Sequence, residues 1–172
     1  MPLAPAPMPA ATPSYSAISS ARRSSYAWLI DRAGADRNID PLLIEAMMHV
    51  ESRARPDAVS HKGARGLMQV MPATARDLGH RGTNADLNDP ETSISLGTAY
   101  LRKLHGLFGN DLPLVIAAYN AGEGAVKKYG RKIPPYRETQ DYVRKVLARY
   151  GELRAAARST TASADGYGSR AP

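Results

Sequence analysis

Residues 40–52 read Asp-Pro-Leu-Leu-Ile-Glu-Ala-Met-Met-His-Val-Glu-Ser, and they decide the fold class. Asp40 is an N-cap residue, and Pro41 suits the first helical position, where its missing N–H costs nothing. The pair opens a helix that runs to about Arg53. Its apolar set, Leu42, Leu43, Ala46, Met47 and Val50, is that of a buried helix. The only polar residues to interrupt its second half are His49, Glu51 and Ser52.

The same grammar recurs outward from this helix. Residues 23–34 form an amphipathic segment with Tyr26, Leu29, Ile30 and Ala33 on one side. A short helix follows Pro72 and stops near Gly79. Asp89-Pro90 repeats the opening device, and Ile94, Gly97, Leu101, Leu104 and Phe108 then recur at spacings of three and four. Residues 112–121 are nearly all apolar, the mark of a central helix, and Gly122 ends it. Tyr142, Val143, Val146, Leu147, Tyr150 and Leu153 give one more helical face. Alternating β-branched runs are nearly absent. The expected fold is therefore all-α, one globule of about six or seven modest helices, without internal repeats.

Length and composition set the boundaries. A chain of 172 residues suits one domain with a sizeable core. Residues 1–17 carry five Pro and five Ala, and residues 155–172 are mostly small or polar. The reading is a Pro/Ala-rich disordered segment over 1–19, a folded domain over 20–154 and a disordered polar tail over 155–172. No apolar run approaches the roughly 20 residues that span a bilayer, and no secretory signal is visible in residues 1–17. The absence of Cys excludes a disulfide scaffold, a thiol nucleophile and Cys-ligated zinc. The net charge of +7 is concentrated in residues 127–158, where ten Lys or Arg face three acids. Such a segment suits an anionic polymer: nucleic acid, a membrane surface or an acidic cell wall.

Few residues are placed for chemistry. Glu51 sits in the last turn of its helix, on the side of Ile44, Met47 and Met48. Apolar neighbours and the negative end of the helix dipole both disfavour its charged form, which equips it as a general acid near neutral pH. A solvated helix-end Glu is the alternative. The loop at 54–65 can fold back over Glu51 and bring Ser60 to its carboxyl, unless Ser60 is an ordinary turn serine. Gly66-Leu67-Met68-Gln69 offers a close backbone approach, a flexible apolar side chain and an amide that can both donate and accept to sugar hydroxyl or N-acetyl groups; it can equally be a helix start. Tyr119 and Asn120 interrupt an apolar helix, as cleft residues or as a satisfied core pair. The four His residues are separated by 12, 19 and 25 positions, so no helical metal pair exists. Gly122-Glu123-Gly124 lacks the third glycine and preceding strand of a dinucleotide loop.

Taken together these motifs resemble the soluble lytic transglycosylase domain of bacterial cell-wall enzymes, which has the lysozyme-like fold. The resemblance runs through Glu51-Ser52, Ala58-Val59-Ser60, Gly63-Ala64, residues 66–69 (GLMQ) and Met71-Pro72-Ala73-Thr74-Ala75. It continues in order through Asp89-Pro90, Gly97, Tyr100-Leu101, residues 117–122 (AAYNAG) and Tyr142-Val143. It covers about two-thirds of the chain. Two positions depart from the family pattern: Ala54, where an aromatic residue is frequent, and Ser93, where Asn is usual.

The resemblance implies a peptidoglycan lytic transglycosylase with a single catalytic carboxyl, Glu51. It would cleave the β-1,4 bond between N-acetylmuramic acid and N-acetylglucosamine and leave 1,6-anhydromuramyl ends. Ser60, Met68, Gln69, Tyr119, Asn120, Tyr142 and Glu138 would bind and orient the glycan. No cofactor or metal is implied. The implied setting is the periplasm or cell envelope, with a monomer acting on peptidoglycan strands, beside a secretion or pilus machine, and without nucleic acid. The alternatives are a lysozyme-type muramidase and a non-catalytic wall-binding subunit of such a machine.

Overall fold

The computed structural model describes residues 24–165, with side chains to residue 160; the Pro/Ala-rich 1–19 segment lies outside the described residues. Among the described residues seven α-helices and one 3-10 turn follow one another: α1 (Ala27–Arg37), α2 (Pro41–Ser52), α3 (Pro72–Asp77), the 3-10 turn (Ala85–Asn88), α4 (Pro90–Phe108), α5 (Leu112–Ala121), α6 (Glu123–Lys128) and α7 (Arg137–Asp165). Among the described residues the only β pairing is two isolated antiparallel bridges, Val59 with Arg65 and Arg65 with Val70. The fold is all-α.

The capping residues act as their types dictate. Asp40 Oδ1 accepts from Leu42 N at 2.9 Å, and Asp89 Oδ2 accepts from Thr92 N at 2.9 Å. Asp111 does the same for α5, accepting from Leu114 N at 3.2 Å. Each bond satisfies an amide that the first helical turn leaves without a partner.

α5 is the central element, with Leu114, Val115, Ile116, Ala117, Ala118 and Tyr119 all buried. It packs between α4 and α7, while α1 closes over α2 and α4. Ile44, Met47 and Met48 of α2 are at most 1% exposed. Burial of each such side chain contributes roughly 1.5–3 kcal/mol.

α2 and α7 run antiparallel and are tied at both ends by tyrosine hydroxyls from α7. Tyr150 donates to Asp40 Oδ2 at 2.6 Å, at the start of α2. Tyr142 donates to Glu51 Oε1 at 2.5 Å, at its end. The helix expected to give way to a tail after residue 154 instead continues to Asp165. Ala155, Ala156 and Ala157 favour helix intrinsically. The Ser159 and Thr160 hydroxyls bond back to the carbonyls of Ala155 and Ala156, both at 3.1 Å, so these residues do not break it. α6 was not expected from the sequence either.

Candidate active site

α2 ends abruptly after Glu51-Ser52. Arg53 and Ala54 both adopt left-handed backbone, with φ of 53° and 59°, a conformation costly for residues with a Cβ. The consecutive left-handed pair turns the chain back on itself. Residues 55–70 then lie beside the end of α2. The Ser52 hydroxyl, buried, donates to Leu67 O at 2.8 Å and pins the returning segment to the helix that carries Glu51.

The returning segment is a hydrogen-bonded loop. Gly66 N donates to Ala58 O at 2.9 Å. The Gln69 amide donates to Ala58 O at 3.0 Å and to Gly66 O at 2.9 Å. Gly66 is needed on two counts. Its φ is +77°, and a Cβ there would sit 2.0 Å from Leu87 O and 2.6 Å from Ser93 Oγ. Residues 66–69 are therefore a turn wedged against the 3-10 segment and α4. Met68 N donates to Ser93 Oγ at 3.0 Å, and Met68 O accepts from the Tyr119 hydroxyl at 2.8 Å. Ser93 itself is fully buried.

Glu51 lies between this loop and α7. Burial drives its carboxyl up from the usual 4.5 to about 7; the nearby charge of Glu138 adds to the rise, and the Tyr142 hydrogen bond opposes it. Tyr142 and Tyr119 are pushed well above the ordinary phenol range, first by burial and then by the charge of Glu51, so both stay protonated donors. Glu138, at the start of α7, is exposed and pairs with Lys62 of the returning loop at 3.6 Å. The Thr139 hydroxyl beside it donates to Asn120 Oδ1 at 2.8 Å. One carboxyl is thus poised to give a proton near pH 7, and the phenol against it remains able to support the resulting carboxylate.

Comparison with known proteins places the chain in a family. The family described as the transglycosylase SLT domain matches residues 28–141. The chain belongs to that family. The soluble lytic murein transglycosylase of Escherichia coli strain K12 is 35% identical over 142 residues, covering 72% of this chain and 22% of the relative. That of Salmonella typhimurium is 36% identical over 143 residues, with the same coverage. The solved 70 kDa soluble lytic transglycosylase of E. coli superposes with a TM-score of 0.69 at 34% identity, over 79% of this chain and 24% of that one. An inactive Glu-to-Gln variant of lytic transglycosylase Slt from Pseudomonas aeruginosa gives 0.68 at 32% identity, over 77% and 25%. The chain spans about a fifth to a quarter of the length of the relatives it matches.

Within this SLT domain the residues read from sequence fall into two groups. Tyr142 bonds Glu51 directly, Glu138 acts on it by charge, and Asn120 reaches α7 through Thr139. Ser60 and Met68 differ from expectation. Ser60 Oγ accepts from Ala64 N at 3.0 Å, stabilising its own turn instead of meeting Glu51, whose side-chain partner is Tyr142. Met68 is 0% exposed and offers its side chain to the core, not to a sugar. A Cβ on Gly97 would stand 2.5 Å from Met68 Cβ, so α4 packs directly against this side chain. The amide nitrogen of Gln69 is spent on the loop. Ser93 and Thr139, both buried hydroxyls that hold site segments, went unread as site residues. Thr139 could have been found as the residue one helical turn before Tyr142 on the same face.

Proposed function

We propose that this domain is a peptidoglycan lytic transglycosylase, cleaving the β-1,4 bond between N-acetylmuramic acid and N-acetylglucosamine in a glycan strand. The observation that carries the reading is Glu51: a single carboxyl with its pKa raised to about 7, hydrogen-bonded by one phenol. Membership of the SLT family supports it, as do relatives named as lytic murein transglycosylases. One relative solved with a single Glu changed to Gln is described as inactive, which accords with a mechanism that depends on one acid.

The chemistry follows from one group acting twice. Glu51, protonated, donates to the glycosidic oxygen as the C1–O bond breaks, and the N-acetylglucosamine portion leaves with that proton. The muramyl centre becomes oxocarbenium-like and is stabilised by the substrate's own acetamide oxygen. The Glu51 carboxylate, held by the Tyr142 hydroxyl, then takes the proton of the muramyl C6 hydroxyl, whose oxygen closes on C1. The 1,6-anhydro ring forms and Glu51 is protonated again, so protons balance over the cycle. The attack is intramolecular, for which well-oriented groups reach effective molarities of about 10⁵–10⁸ M. Tyr119, Asn120, Gln69 and Glu138 frame the cleft, and the catalytic unit spans residues 20–154 with the end of α7 attached. The setting is the cell envelope, in or next to the periplasm, with the domain acting as a monomer on glycan strands beside a secretion or pilus machine.

A second reading, a lysozyme-type hydrolase, is favoured by one feature: Glu138 is close enough for its charge to be felt by Glu51. A second carboxyl is what activation of water requires. Its exposure and its pairing with Lys62 weigh against that role. Incubation of isolated sacculi with the domain and with its Glu51→Gln variant tests the enzymatic reading. Soluble fragments from the first and none from the second support it; equal release by both removes Glu51 from the reaction.

A further inference from the structure

The interior face of α7 presents, one turn apart, the Thr139 and Tyr142 side chains, both almost fully buried. Tyr142 reaches the Glu51 carboxyl. Thr139 donates its hydroxyl to Asn120 Oδ1 at 2.8 Å, across the α5–α7 contact. A primary amide has an acceptor at one end and two donor hydrogens at the other. Engaging the oxygen therefore determines where the nitrogen points. The Asn120 nitrogen has no protein partner among the described residues, and it is absent from the polar atoms sealed off without one. Asn120 is half-buried and directly follows Tyr119, whose phenol feels the Glu51 charge. The donor end of Asn120 is thus left open, on the residue next to the tyrosine that feels the Glu51 charge.

We propose that Thr139 is a positioning residue: it locks the Asn120 amide so that the cleft receives an N–H donor and never the carbonyl. The group it serves is an acceptor oxygen on the glycan, of which the N-acetyl carbonyl is the strongest available. This inference rests on the glycan-cleaving reading, and it adds a polarity to the site. Loss of the Thr139 hydroxyl frees the amide to rotate, and the cleft then meets oxygen against oxygen in part of the population. An oxygen-for-oxygen encounter costs binding because a desolvated acceptor is left without a donor.

Glycan binding is measured in the non-cleaving Glu51→Gln background by calorimetry, with peptide-free strands of alternating N-acetylglucosamine and N-acetylmuramic acid. Thr139→Val, which keeps shape and loses the hydroxyl, is expected to weaken binding about 5–10-fold, the worth of about one hydrogen bond. Thr139→Ser is expected to restore affinity to within about twofold. Asn120→Asp, which keeps the acceptor for Thr139 but turns an oxygen to the cleft, is expected to bind at least as poorly as Thr139→Val. Thr139→Val added to Asn120→Ala should cost nothing more, because the two act through one bond. With Glu51 intact, Thr139→Val should raise KM and leave kcat within about twofold. Unchanged affinity in Thr139→Val, undiminished affinity in Asn120→Asp, or additive losses in the double variant would each overturn the proposal. Absence of any glycan binding by the Glu51→Gln parent would overturn it together with the reading beneath it.

Discussion

The Tyr142 hydroxyl stands 2.5 Å from Glu51 Oε1, although 91 residues separate them in the chain. Two opposing influences meet in that contact. Burial favours the neutral acid, and the phenol favours the carboxylate; the balance leaves the Glu51 pKa at about 7. An acid that must donate and then accept within one cycle works best near that balance. The contact also fixes the end of α2 to α7, as Tyr150 fixes its beginning through Asp40.

The raised pKa predicts that activity and stability both decline as pH rises through about 7. kcat/KM should fall about tenfold per unit as pH rises above about 7, because Glu51 loses the proton it must give. Stability follows the linkage. Glu51 is raised in the fold, so its favourable contribution is complete below about 4.5 and is lost as pH climbs through about 7. The Glu51→Gln variant should therefore match the parent near pH 4 and exceed it near pH 8 by about 2–3 kcal/mol. Denaturant unfolding at the two pH values checks this, and equal stability differences at both would contradict it.

Tyr142→Phe removes the one influence that lowers the Glu51 pKa. The alkaline limb of the kcat/KM profile should move to higher pH, and kcat should drop because the carboxylate loses its support during the base step. A loss of activity with an unmoved pH profile would assign Tyr142 to packing alone.

Local chemistry made much of this fold legible. Asp40-Pro41 and Asp89-Pro90 announce helix starts by satisfying first-turn amides, and the stripe from Ile94 to Phe108 is buried as its spacing demands. Glu51 could be picked out only through the ordered motifs around it, because a Glu closing a helix is by itself as readily a solvated surface residue. The partners of these residues were less legible. Tyr119 meets Met68 across 51 positions, and Thr139 meets Asn120 across 19; no local periodicity encodes such pairings. Met68 was misread because an apolar side chain beside a catalytic acid looks the same whether it lines the cleft or floors it. α6 was hidden by glycines on either side of Glu123, and the far end of α7 by polar composition that hydroxyl back-bonding accommodates.

Close packing at Gly97 gives a stability prediction. A Cβ there meets Met68 Cβ at 2.5 Å, Met68 Cγ at 2.7 Å and the Tyr119 hydroxyl at 3.0 Å. Gly97→Ala should destabilise the domain by about 1–3 kcal/mol and lower activity by displacing the Met68 carbonyl from Tyr119. Thermal unfolding and sacculus lysis measured together test this; a variant as stable and as active as the parent would show that α4 can retreat.

The basic stretch at 127–158 should hold the domain to anionic wall polymers, with binding that weakens as salt rises. Charge reversal at Arg154 and Arg158, exposed on the far part of α7, should reduce sacculus binding while leaving turnover on short soluble glycans unchanged. Tight, steeply salt-dependent binding to duplex DNA and none to sacculi would point to a nucleic-acid partner instead.

The most direct test of a single carboxyl acting twice is the chemical form of the new muramyl end. Sacculi digested in water labelled with heavy oxygen should yield 1,6-anhydromuramyl ends, about 18 mass units lighter than the reducing ends of two-carboxylate hydrolysis, with no label incorporated. Digests dominated by labelled reducing ends would contradict the account and give Glu138 the role of activating water.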